Sequence, residues 1–152
     1  MNNFQTPLIV CDYMTSLLPK SPINKVLEPT PGEGNLVKSL NQLNINQIIA
    51  PDNFFDINDI FDYIVMNPPF TPMDLGYSIL YRCMEMSDNI IALMPWLTMI
   101  NSQKRTKHIM DFGLKSITNL PRKTFKGSRV QCCILEMEKG WNSTTLFKNF
   151  DF

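Results

Sequence analysis

Short apolar runs alternate with helically spaced segments from Leu8 to Met137, and a turn bearing proline, glycine or asparagine closes most of the runs. Such alternation builds βα units, because a strand buried on both faces reads as a continuous apolar run and a helix repeats every three to four residues. Residues 8–18 are helically spaced, with Pro7 suited to the first turn and Pro19 to the exit. Residues 25–28 read as a strand, 29–34 as a glycine loop, and 35–43 as a helix with Leu36, Val37, Leu40 and Leu43 at helical spacing. Strands are predicted at 45–50, 61–66 and 89–94, with helices at 75–86 and 103–112, the latter ended by Gly113. Residues 114–120 and 130–137 are the last two predicted strands, and the loop between them is too short for a crossover helix, so they should pair antiparallel. The predicted fold is α/β, with a mostly parallel sheet and one antiparallel strand at its C-terminal end.

At 152 residues, 44% apolar and 18% charged, the chain can bury one core and not two. Residues 1–140 are read as that single domain and 141–152 as a C-terminal tail. Ten Met and ten Phe are read mainly as core. Lys and Arg number 14, as do Asp and Glu, which excludes a wholly basic nucleic-acid module and a long acidic tail. The charges are nevertheless segregated, because residues 104–129 carry eight basic side chains against Asp111 alone. A cationic stretch in an otherwise acidic chain predicts a surface that faces a polyanion, although Lys104, Arg105 and Lys107 could equally solvate a helix face. Cys11, Cys83, Cys132 and Cys133 form no CxxC pair and His108 is the one histidine, so no metal is expected. The vicinal Cys132-Cys133 reads as strand packing rather than as a nucleophile. No leader-like pattern opens the chain and no apolar window is long enough to span a membrane, so a soluble protein of the reducing cytoplasm is expected.

In an open α/β sheet, ligands bind beyond the carboxyl ends of the strands where strand order reverses. The turns after Glu28, Ala50 and Met66 should therefore converge on one crevice. Gly32 and Gly34 allow close backbone approach, and Glu28 at a strand tip could reach an ammonium or hydroxyl. A tight turn with a solvated Glu is the competing reading. Asn67-Pro68-Pro69-Phe70 is sharper, because consecutive prolines fix the backbone and leave the Asn side chain and a carbonyl oxygen as acceptors facing the crevice. Two oxygen acceptors suit the two hydrogens of a planar amine and draw its nitrogen toward tetrahedral geometry, exposing the lone pair. Phe70 would stack on the ring carrying that amine, unless the motif is only a rigid turn with Phe70 in the core.

With these residues the chain resembles the S-adenosylmethionine-dependent DNA adenine-N6 methyltransferases. Residues 67–70 match the family's catalytic tetrad, and Glu28-Pro29-Thr30-Pro31-Gly32-Glu33-Gly34 is similar to its glycine-rich cofactor motif. Phe4-Gln5-Thr6-Pro7 resembles the cofactor-contacting segment that precedes it, while residues 91–95, Phe125 and residues 130–136 resemble later motifs. The resemblance covers residues 4–139 and implies a Rossmann-like class I methyltransferase sheet. It implies that Glu28, Gly32 and Gly34 contact the methionine part of the cofactor, that Thr6 and Pro7 border it, and that Pro29 and Asn67 complete the site. Asn67 and the Pro68 carbonyl would hold the adenine amine, with Pro69 and Phe70 completing the tetrad. Phe70 would stack on a base flipped out of the duplex. Phe125 would pack on the base's other side or serve as a core anchor, and Arg122, Lys123, Lys126 and Arg129 would face phosphates.

Two departures accompany the resemblance. Residues 35–66 alone separate Gly34 from Asn67, where the family fits two further strands with a helix between them. Asp52 is therefore the candidate for the ribose or adenine of the cofactor, and Phe54 or Phe55 for stacking. The chain also ends without a target-recognition domain, so specificity is expected to be weak, supplied by a protein partner or a second copy, or read by loops 71–75 and 121–129. The alternatives are methylation of another planar amine, in RNA or a protein glutamine, and a non-catalytic nucleic-acid-binding or partner subunit of the same fold.

Overall fold

The computed structural model describes residues 5–151. Phe4 of the predicted cofactor segment and Phe152 of the predicted tail lie outside the described residues. Helix α1 (Leu8–Ser16) starts where the Pro7 carbonyl accepts the N–H groups of Val10 and Cys11, both at 3.0 Å. Strand β1 (Ile23–Leu27) runs into the glycine loop, and helix α2 (Asn35–Leu40) begins at Gly34, whose φ of 90° is left-handed. Strands β2 (Ile45–Ile49) and β3 (Tyr63–Met66) are joined by a connection whose one helical turn is the 3₁₀ turn Phe54–Asp56, so the expected shortening is present.

Helix α3 (Met73–Met86), strand β4 (Asn89–Pro95), the single-turn helix α4 (Leu97–Ile100) and helix α5 (Gln103–Phe112) follow. Ser102 caps α5 by accepting the Arg105 N–H at 3.2 Å, and Gly113 ends it. Strands β5 (Leu114–Asn119), β6 (Cys132–Glu138) and β7 (Leu146–Asn149) complete the chain.

The seven strands lie in the order β2-β1-β3-β4-β6-β5-β7. β6 runs antiparallel to β4 and β5, and every other pairing is parallel. The predicted antiparallel strand is therefore present, and it lies between β4 and β5. The segment 141–152, expected as a tail, contains β7, which pairs with β5 from Ser116↔Leu146 to Asn119↔Asn149.

Alternation along each strand builds two cores. Val26, Val65, Ile91, Leu93 and Ile134 pack with α1 and α2 on one face, while Leu27, Ile64, Met66, Ile90, Ala92 and Leu135 pack with α3 and α5 on the other. Each such fully buried aliphatic side chain contributes about 1.5–3 kcal/mol, and this double burial explains why β4 reads as an unbroken apolar run. Among the described residues, no helix is long and apolar enough to cross a membrane.

Candidate active site

From β1 the chain crosses to β2 on one side and returns to β3 on the other, so strand order reverses between β1 and β3. A crevice of about 840 Å³ opens beyond the carboxyl ends of these strands, the place an open α/β sheet reserves for ligands. The three predicted turns converge on it. Glu28, the 29–32 loop, residues 51–55 and the complete Asn67–Phe70 tetrad all line it, as do Thr6 and Phe125.

Glu28 is only 1% exposed, which removes the reading of a solvated turn residue. Its N–H donates to the Ile49 carbonyl at 2.9 Å, and its Oε1 accepts the Thr30 N–H at 2.9 Å. Burial pushes its pKa up to about 8, with the Thr30 N–H opposing. A buried carboxyl on a crevice wall can give up its proton to pair with a cationic ligand, or keep it and bond a hydroxyl. Gly32 lines the same wall with φ at 53°. Gly34 lies outside the lining: its N–H bonds the Pro31 carbonyl at 2.8 Å and it starts α2. Pro7 likewise lies outside the lining and starts α1.

Beyond β2, the Asn53 side chain accepts the Phe55 N–H at 3.1 Å. The rings of Phe54 and Phe55 meet edge to face at 5.2 Å, yet they do different work. Phe54 is 5% exposed and belongs to the core beneath α3, whereas Phe55 is 58% exposed and offers an open face beside the exposed Asp52.

At the tip of β3, neither Pro68 nor Pro69 has an N–H, so the turn is held from outside. The Thr30 hydroxyl donates to the Asn67 carbonyl at 3.1 Å, and Asn67 Nδ2 donates to Thr6 Oγ1. With Nδ2 committed, Oδ1 is the acceptor that Asn67 retains for a ligand. Phe70 packs partly against the α1/α2 core while lining the crevice, and Phe125, 8% exposed, does the same from the loop before β6. Each therefore packs against a core and lines the crevice at once.

The cations divide. Arg122, Lys123, Lys126 and Arg129 are exposed on the loop that carries Phe125. Arg105 is structural: its guanidinium lies 3.7 Å from the Tyr77 ring centre and donates to the carbonyls of Leu97 and Thr98, both at 3.0 Å. Lys107 pairs with Asp111 at 2.7 Å. All four cysteines are buried, and burial pushes the thiols of Cys11 and Cys132 up to about 12 and those of Cys83 and Cys133 further. Thiols so far from ionisation are not nucleophiles. Among the described residues, no cluster of His, Cys, Asp and Glu could hold a metal ion.

Sequence reasoning left Asn35 out of the site, although it lines the crevice. Asn35 donates to the Thr6 carbonyl at 2.9 Å, and its one sequence signal is its place directly after the glycine loop.

No family model and no curated protein sequence matches the chain. Solved structures do. A Listeria monocytogenes protein assigned to the class I S-adenosylmethionine-dependent methyltransferases superposes with a TM-score of 0.77 at 17% identity, covering 99% of this chain and 67% of that one. The chain has the class I methyltransferase fold. The methyltransferase subunit of a type I restriction-modification system from Streptococcus thermophilus gives a TM-score of 0.76 at 12% identity, covering 95% of this chain and 46% of that one. A dimethyladenosine transferase from Plasmodium falciparum gives 0.61 at 13% identity, covering 86% and 60%. At these identities the likeness is one of fold. The chain spans about two thirds of the length of the Listeria protein and less than half of the Streptococcus subunit.

Proposed function

We propose that this protein transfers a methyl group from S-adenosylmethionine to the N6 amine of adenine in DNA, as a cytoplasmic enzyme of the kind that serves restriction-modification. The observation that carries this reading is the Asn67 amide, whose Nδ2 is tied to Thr6 and whose Oδ1 is left as an acceptor beside Phe70 in the crevice. The fold neighbours support it, since those compared above are named as methyltransferases or as a dimethyladenosine transferase.

The cofactor arm of the crevice suits S-adenosylmethionine. The buried Glu28 carboxyl takes the ammonium group, Gly32 lets the backbone approach, and Asp52 with the open face of Phe55 receives the nucleoside end. When bound, the cofactor supplies an electrophilic sulfonium methyl. Asn67 Oδ1 and the Pro68 carbonyl accept the two amine hydrogens and stabilise the positive charge that develops on nitrogen. Phe70 stacks on one face of the flipped base and Phe125 closes the other, while Arg122, Lys123, Lys126 and Arg129 meet phosphates. Target choice is assigned to a protein partner or a second copy of the chain.

The test joins calorimetric titration with S-adenosylhomocysteine to methylation assays on DNA, RNA and glutamine peptides. The wild type should bind saturably and methylate DNA adenine, with Asp52→Ala weakening binding. Asn67→Ala should keep its affinity and lose on the order of 10² to 10³ in kcat. A full-rate Asn67→Ala protein, or transfer only to RNA or glutamine, would refute the reading.

A further inference from the structure

An Asn amide is useful to a substrate amine in one orientation only. With Oδ1 toward the amine it accepts a hydrogen; rotated by half a turn, it presents a second donor and repels it. Something must select between the two. The contact that meets the amide is Thr6 Oγ1, which takes the Asn67 Nδ2 hydrogen across a separation of 61 residues.

Thr6 is built to hold still. It is 4% exposed, and its carbonyl accepts from Asn35 Nδ2 at 2.9 Å and from Cys11 Sγ at 3.6 Å, which ties it to α2 and α1. The far end of Asn67 is held too, because its carbonyl accepts the Thr30 hydroxyl at 3.1 Å, and the Thr30 N–H is bound to Glu28 Oε1 at 2.9 Å. Asn67 is thus clamped at backbone and side chain by residues that also face the crevice.

We infer that Thr6 is a positioning residue whose hydroxyl sets the Asn67 amide with Oδ1 toward the substrate amine. This rests on the methyl-transfer reading for its kinetic consequence, but the hydrogen bond itself does not.

Two variants test it. Thr6→Val keeps the shape and removes the hydroxyl; Thr6→Ser keeps the hydroxyl. Three readouts are compared: exchange of the Asn67 side-chain amide protons by NMR, assigned by their loss in Asn67→Ala; the Kd for S-adenosylhomocysteine; and kcat and KM on adenine-containing DNA. Thr6→Val should speed amide exchange and lower kcat, each about tenfold or more, with Kd changed less than about threefold. Thr6→Ser should restore both. An Asn67 amide that stays protected in Thr6→Val overturns the inference, as does a loss of cofactor affinity as large as the loss of kcat. A wild type that binds but methylates nothing refutes the methyl-transfer reading alone, and the amide measurement still decides the role of Thr6.

Discussion

A Cβ at position 76 would lie 2.8 Å from the carbonyl oxygen of Pro69. Gly76, buried in the first turns of α3, therefore lets that helix lie directly against the Asn67–Phe70 turn. The neighbour is a main-chain carbonyl, with no side-chain rotamer by which to move aside. Gly76→Ala should shift Pro68 and Pro69, destabilise the fold by about 1–3 kcal/mol, and lower methylation more than cofactor affinity. Denaturation midpoints set beside kcat and the Kd for S-adenosylhomocysteine would show it; an alanine variant with wild-type kcat would refute the buttress.

Glu28 makes stability depend on pH. Its pKa rises from 4.5 to about 8 on folding, so at intermediate pH the folded protein retains a proton that the unfolded chain has released. Its contribution is full below about pH 4.5 and is lost as pH rises through about 8. The effect should be on the order of a few kcal/mol, and Glu28→Gln should flatten the decline. Urea denaturation at several pH values reads this directly.

The same shift predicts a proton leaving when a cation enters. S-adenosylhomocysteine carries an ammonium group, and pairing it with Glu28 favours the carboxylate. Calorimetry near pH 7 in buffers of different ionisation enthalpy should report release of close to one proton, absent in Glu28→Gln. Proton-neutral binding by the wild type would place the ammonium elsewhere.

Lys126 and Arg129 are exposed on the loop whose Phe125 lines the crevice. Each charge that meets a phosphate steepens the salt dependence of binding, so Lys126→Gln and Arg129→Gln should each weaken DNA binding and reduce the log–log salt slope by about 1. Lys107→Gln, on α5 and paired with Asp111, should leave the slope unchanged. Equal effects from all three would mean that the basic stretch acts only through net charge.

Gly113 gives a prediction independent of function. Its φ is 135°, and a Cβ there would run into the Glu138 carbonyl oxygen and lie 2.8 Å from the Trp141 nitrogen. Gly113→Ala should cost about 3 kcal/mol or more, seen as a lowered Tm. A variant within about 1 kcal/mol of wild type would contradict the packing of the α5–β5 turn against the end of β6.

The parts of this molecule legible in its sequence are those where local pattern and tertiary demand coincide. β4 is buried along nearly its whole length and so appears as an uninterrupted apolar run. The tetrad is legible because two prolines restrict the chain whatever surrounds them. β7 is not, since most of its residues are exposed and carry no alternation. Phe54 and Phe55 are adjacent and identical, and only the packing beneath α3 decides which enters the core. Gly76 reads as an ordinary weak point in a helix until the Pro69 carbonyl is placed beside it. The Thr6–Asn67 hydrogen bond joins residues 61 apart, a distance across which no periodicity carries information. The insertion of β6 beside β4 is equally silent, because each strand is apolar on both faces whichever neighbour it has.

That insertion bears on how the chain assembles. β4 and β5 leave the ribosome before the strand that must lie between them. Until β6 arrives, the edge of β4 is an open row of backbone donors and acceptors flanked by the most apolar run in the chain, a template for pairing with a neighbouring molecule. Closure waits on a pairing that reaches from Asn89 to Glu138, and contacts of such separation form slowly. The window between synthesis of β4 and capture of β6 is when a nascent copy is most exposed to aggregation, and a chaperone would matter most there.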